Sequence, residues 1–95
     1  MIAIVATMRV QDGKGEAFEA IFADLSAKVR ANEPGCVLYQ LTRSRKDPGA
    51  YKVLELYKDQ AAIENHSQTD YFKAAGAQMG PVLAERAQIE ILDAV

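Results

Sequence analysis

Two extended segments of this chain are apolar on both faces, and that limits the folds open to it more than any other feature. Residues 2–10 read IAIVATMRV, with Ile2, Ile4, Met8 and Val10 on one parity and Ala3, Val5 and Thr7 on the other. Residues 51–58 read YKVLELYK, with Tyr51, Val53 and Tyr57 opposed to Leu54 and Leu56. Successive side chains of a strand point to opposite faces, so such segments belong in the middle of a sheet that is covered on two sides. The chain is 95 residues long, enough for one domain, and a domain this small buries only about two-thirds of its unfolded surface.

The remaining elements are read from punctuation and period. Asp12-Gly13-Lys14-Gly15 breaks the first strand, and Asp12 is a candidate helix cap with Glu16 in the electropositive first turn. Phe18, Ile21, Phe22, Leu25 and Val29 then recur three and four apart, the stripe of an amphipathic helix that Asn32-Glu33-Pro34-Gly35 stops. Residues 36–45, CVLYQLTRSR, alternate Val37, Tyr39 and Leu41 against Gln40 and Thr42, and Asp47-Pro48-Gly49 supplies a turn into the 51–58 strand. Asp59 caps a helical QAAIENH, and Ser67-Gln68-Thr69-Asp70 interrupts it. A further helix carries Phe72, Ala75, Met79, Val82 and Leu83, with Gly76 and Gly80-Pro81 weakening or bending it. Residues 87–92, AQIEIL, close the chain as a short strand.

The order βαββαβ predicts a single α+β domain over 1–95, with a ferredoxin-like antiparallel sheet, helices on one face and the first and third strands central. Helices cover one face of those two strands and leave the other bare, so a second copy packing sheet to sheet is the expected partner.

Composition removes several classes. Thirteen acidic against eleven basic residues give a net charge of −2, without the basic surplus that phosphate recognition needs, so no nucleic acid is expected. No apolar run approaches the ~18 residues of a membrane span, and no charged-then-apolar leader opens the chain, so neither a membrane nor an export route is expected. One cysteine, Cys36, and one histidine make neither an internal disulfide nor a Cys/His zinc cage. The expected setting is cytoplasmic. Gly13-x-Gly15 is too short for a phosphate cradle, and no dinucleotide fingerprint is present.

One ordered series of residues resembles a known family. Glu33-Pro34-Gly35-Cys36 leads into Leu38-Tyr39-Gln40-Leu41, then Arg43-Ser44 and Asp47-Pro48-Gly49. Val53-Leu54-Glu55-Leu56-Tyr57, Ala61-Ala62-Ile63-Glu64-Asn65-His66 and Tyr71-Phe72-Lys73-Ala74 follow. In this combination, over about residues 2 to 92, the chain resembles the antibiotic biosynthesis monooxygenase domain. The resemblance implies a dimeric α/β barrel with a cleft between sheet and helices in each protomer. It also implies a range of activities: oxidation of quinols or anthrones by O2 without metal or flavin, haem degradation, and isomerisation of small signalling molecules. The position where haem-degrading relatives carry a functional Asn falls at Thr7 and Arg9, and Trp is absent from the chain, which disfavours haem degradation.

His66 stands at the family's histidine position and shares a helix face with Ala62 and Ile63. Two readings are open: a ring packed over the sheet with its nitrogens satisfied by backbone, or a base in a cleft, since imidazole titrates near ~6.5. Glu55, an acid within a central strand, is costly to bury unless paired or protonated. It is read either as a structural partner, with Arg43 one candidate, or as a group that orients His66 or meets substrate. Tyr39, Tyr57, Tyr71 and Phe72 either fill the core or line an aromatic pocket, with Thr7 a further candidate contact. Met8 and Met79 are packing residues, Cys36 a small buried residue, and Lys14 and Lys46 solvated.

On the resemblance, the leading expectation is a cofactor-independent monooxygenase acting on a small phenolic or quinol-type aromatic. His66 would be its base, Glu55 would act in support, and Tyr39, Tyr57, Tyr71, Phe72 and Thr7 would contact substrate. No metal or other cofactor is expected. The alternatives are a non-catalytic dimeric small-molecule-binding or stress-response module, and an isomerase that moves protons on a small metabolite.

Overall fold

The two doubly apolar segments lie side by side at the centre of one sheet. In the computed structural model, which describes residues 1–95, β1 (Ile2–Arg9) pairs antiparallel with β3 (Ala50–Tyr57). β2 (Cys36–Arg43) flanks β3 and β4 (Gln88–Asp93) flanks β1, giving the order β2-β3-β1-β4 with every neighbour antiparallel. The helices are α1 (Gly15–Asn32), α2 (Gln60–Gln68) and α3 (Asp70–Met79), with a short 3₁₀ turn over Gly80–Val82. The second helical region is thus two helices, and the order is β-α-β-β-α-α-β in a ferredoxin-like α+β fold.

The core lies between the helices and one sheet face. α1 contributes Phe18, Phe22, Leu25 and Val29, β3 contributes Tyr51 and Val53, β1 contributes Ala6, and α3 contributes Ala75 and Met79. The Phe18 ring lies 4.9 Å from Tyr51, and Phe22 stacks on Tyr39 at 5.3 Å. These contacts lay α1 along the sheet with its start over Tyr51. On the other face Leu38, Leu54 and Leu92 stand exposed, since no helix crosses there.

Two local expectations are corrected. α1 begins after Lys14, which makes no side-chain cap, so Asp12 is not its cap; the chain turns instead at Gly13, whose φ of 78° suits glycine. In β2, Cys36 pairs with Tyr57 but Leu38 with Leu56, so Val37 is the extra residue of a β-bulge. The bulge resets the alternation. Cys36 and Tyr39 both face the helices, and Val37, expected beside Tyr39, is exposed.

Gly35 is the closest approach between the α1–β2 turn and α2: a Cβ built there would lie 2.8 Å from Ala62 Cβ. Its φ is negative, so an alanine is resisted by this contact alone. Gly35→Ala is expected to destabilise the fold by about 1–3 kcal/mol, the usual range for overpacking a tight contact. A lower urea midpoint at unchanged slope would show it, and an unchanged midpoint would mean that the turn does not bear on α2.

Candidate functional site

The turn that ends α1 also builds the site. Glu33 caps α1, its N–H bonded to the Val29 carbonyl at 2.9 Å, and Pro34 and Gly35 turn the chain into β2. Gly35 touches Ala62, and His66 lies one helical turn beyond Ala62 on the same face of α2. The docked turn therefore brings the Glu33 side chain to His66. Glu33 Oε1 lies 2.9 Å from His66 Nδ1, and the Tyr71 hydroxyl donates to Glu33 Oε2. Glu33 and His66 are 4% and 5% exposed, so the pair is shielded from water.

A carboxylate at a helix C-terminus faces the negative end of the helix dipole, and burial adds a desolvation cost. His66 and Tyr71 offset both by placing one donor on each oxygen. With Nδ1–H given to Glu33, the neutral imidazole keeps its lone pair on Nε2. Nε2 has no protein hydrogen-bond partner, and since no fully buried side-chain nitrogen or oxygen lacks one, it keeps a sliver of solvent contact in a ring that is 5% exposed overall. The ring sits in the last turn of α2, where the dipole favours positive charge, and it packs against Phe72 at 4.6 Å, Tyr39 at 5.2 Å and Tyr57 at 5.5 Å. Thr69 fixes the joint between α2 and α3: its hydroxyl donates to the His66 carbonyl at 2.9 Å and accepts from the Phe72 N–H at 3.3 Å.

Glu55 faces the same cluster from β3. It pairs across the strands with Tyr39, and its Oε1 accepts from the Tyr57 hydroxyl at 2.6 Å. It does not bond His66, and the expected partner Arg43 is elsewhere, bound to Glu19 at 3.1 Å beside the Tyr51 hydroxyl. Burial, with the nearby Glu33 charge adding to it, pushes the Glu55 carboxyl from its ordinary 4.5 up to about 7, although the Tyr57 bond works the other way. Burial and the Glu33 bond push the Tyr71 phenol up to about 12, and burial with the Glu55 and Glu33 charges raises Tyr39. Cys36 is raised to about 11 by burial and by both glutamates, so it stays a thiol at neutral pH.

Of the residues expected from sequence, His66, Glu55, Tyr39, Tyr57, Tyr71 and Phe72 come together here. Thr7 does not. It shares a parity with Ala3 and Val5 and pairs with Lys52, on the sheet face away from His66. In the sequence Glu33 marks only a helix stop and part of the family motif, yet in the fold it holds the histidine. The signal for it was an acid at the helix end that repels acids, next to Pro. The largest of the main clefts, about 480 Å³, opens at the opposite end of β3 around Gly13, Gly15, Glu19, Arg43 and Tyr51, away from the His66 cluster. No three His, Cys, Asp or Glu side chains are grouped to hold a metal, and no helix is long and apolar enough to cross a membrane.

The raised Glu55 value has a consequence for stability. Between about 4.5 and about 7 the folded protein holds a proton on Glu55 that the unfolded chain has released. Stability contributed by this group therefore falls as pH rises through that window and is level above it. Urea midpoints measured from pH 5 to pH 8 are expected to decline less in Glu55→Gln than in wild type, with the variant the more stable at pH 8. Parallel profiles would contradict the assignment.

Comparison with known proteins agrees with this architecture. The model of the family described as antibiotic biosynthesis monooxygenase matches residues 1–78. A crystal structure from Caulobacter crescentus CB15, of a candidate antibiotic biosynthesis monooxygenase, is 60% identical with a TM-score of 0.96 over 99% of this chain and 89% of that one. A conserved protein from Methanosarcina mazei Go1 is 25% identical with a TM-score of 0.90 over 96% and 89% of the two chains. An uncharacterized protein from Synechocystis sp. is 28% identical over 90 residues, and the chain spans 60% of the length of that relative. With most of its length matched by the family model, the chain belongs to the antibiotic biosynthesis monooxygenase family.

Proposed function

We propose that the chain acts as a homodimer in which each protomer oxidises a small phenolic or quinol-type aromatic with O2, with His66 Nε2 as the proton acceptor and no metal or flavin taking part. The observation that supports this reading is the buried Tyr71–Glu33–His66 chain, which leaves one imidazole nitrogen without a protein partner in a ring packed among aromatic side chains. Removing a proton from an anthrone-type substrate makes an electron-rich anion, and that anion reduces O2 directly. All four electrons that O2 takes up come from the substrate methylene, whose two C–H bonds are lost as it becomes a carbonyl. The carbon forms a bond to one oxygen, the hydroperoxide O–O bond breaks, and loss of water leaves the quinone, with one oxygen atom in each product. The protein supplies a base, a dry aromatic wall and charge balance, the last from the imidazolium held against Glu33.

Oxygen consumption with a panel of hydroquinones and anthrones, in the presence of chelator, tests it. Uptake above autoxidation is expected, falling at least tenfold in a folded His66→Ala, a threshold set below the contribution of order 10²–10⁴ that a general base makes. Uptake unchanged by the substitution would remove His66 as the base. The closed packing of the imidazole, 5% exposed, favours one rival, a binding module without turnover. No uptake together with ligand binding would support that rival.

The homodimer rests on the helix-free sheet face, where Leu38, Leu54 and Leu92 are exposed beside the half-buried Val5 and Leu56. Apolar surface of this kind is stabilised by burial, and a second copy packed face to face would close a barrel. Sedimentation at micromolar concentration is expected to give twice the protomer mass, and Leu54→Lys to shift it to one protomer. A wild-type monomer would overturn the proposal.

A further inference from the structure

The charges around His66 are one-sided. Glu33 faces it from the α1–β2 turn with two donors, His66 and Tyr71, and Glu55 faces the same rings from β3 with one, Tyr57. No lysine or arginine forms an ion pair with either carboxylate; the three that form ion pairs do so with Asp47, Asp24 and Glu19. Arg30, from α1, reaches only the Tyr39 carbonyl oxygen, at 3.1 Å. The other ionisable groups against Glu55 are Tyr39 and Cys36 of β2, which burial holds neutral, and its β1 partner Ile4 adds no charge.

Resting on the reading of the His66 cluster as a ligand site, we infer that this site takes phenolic aromatics that arrive uncharged and rejects those that already carry a carboxylate or phosphate. A proton passed from a neutral phenol to His66 creates an anion and a cation together, so the net charge of the cluster does not change. A ligand that arrives as an anion adds a charge beside two glutamates with no cation to meet it, and in a shielded site that repulsion is felt strongly. Glu55 sets its strength. While it holds a proton the cluster carries one carboxylate, and once it is ionised the cluster carries two. Rejection of anions therefore sharpens as pH rises past the Glu55 titration and is blunted when residue 55 cannot ionise.

The test is binding, not turnover, so it stands apart from the oxygen-uptake experiment. 2-Naphthol and 6-hydroxy-2-naphthoic acid share a ring system and a hydroxyl and differ by one carboxylate. The chain has a single histidine, so the proton on its Cε1 gives an unambiguously assignable NMR signal to titrate with each. At pH 8 the naphthol is expected to shift that signal and the acid to bind at least about tenfold more weakly. The gap should narrow about threefold or more at pH 6 and likewise in E55Q at pH 8, an isosteric change that still accepts the Tyr57 bond. The comparison of pH 6 with pH 8 in wild type serves even if the variant does not fold. Equal or tighter binding of the acid, a gap indifferent to both pH and E55Q, or no shift of the signal by either ligand would overturn the inference. Selective binding without oxygen uptake would leave it standing while the monooxygenase reading falls. Oxygen uptake that favours charged substrates would do the reverse.

Discussion

A buried carboxylate at the wrong end of a helix is the constraint from which the rest of the site follows. Glu33 sits at the C-terminus of α1, 4% exposed, where both the helix dipole and desolvation oppose its charge. Removing one partner of such a buried pair typically costs about 3–5 kcal/mol, so a donor on each oxygen is required and not incidental. The donors come from two different helices, His66 of α2 and Tyr71 of α3. One side chain therefore joins α1, α2 and α3, and Thr69 at the joint between the last two keeps both donors in place.

That join depends on the sheet. Gly35 lets the turn after α1 reach α2, the β2 bulge at Val37 brings Cys36 and Tyr39 to the same face, and β3 presents Glu55 and Tyr57 from beneath. The result is a hydrogen-bonded imidazole inside an aromatic shell, with a second carboxyl that burial keeps largely protonated below about pH 7. β3 has a tyrosine near each end, and each donates to a glutamate: Tyr51 to Glu19 and Tyr57 to Glu55. Only the Tyr57 end has a histidine.

Much of this was legible in the sequence. The doubly apolar strands identify the centre of the sheet because burial on two faces leaves a period-independent run, and the stripe from Phe18 to Val29 identifies α1. The grouping of His66 with Tyr39, Tyr57, Tyr71 and Phe72 came from the family resemblance. What was not legible depends on contacts between distant segments. Glu33 reads as a helix stop because its partners lie 33 and 38 residues on. Arg43 suits Glu55 by charge, but the strand register sets it opposite Tyr51, at the far end of β3. The bulge at Val37 shifts the facing of β2 by one residue, and no alternation pattern announces it. Thr7 could have been set aside only by knowing which parity of β1 faces the helices.

The central claim is that Glu33 fixes the His66 imidazole so that Nε2 is its free basic nitrogen. ¹⁵N NMR of the single histidine above its titration range tests this most directly. The account predicts one tautomer, protonated on Nδ1 with Nε2 bare, and averaging over both nitrogens in Glu33→Ala. A wild-type ring protonated on Nε2, or one that already averages between the two, would contradict it.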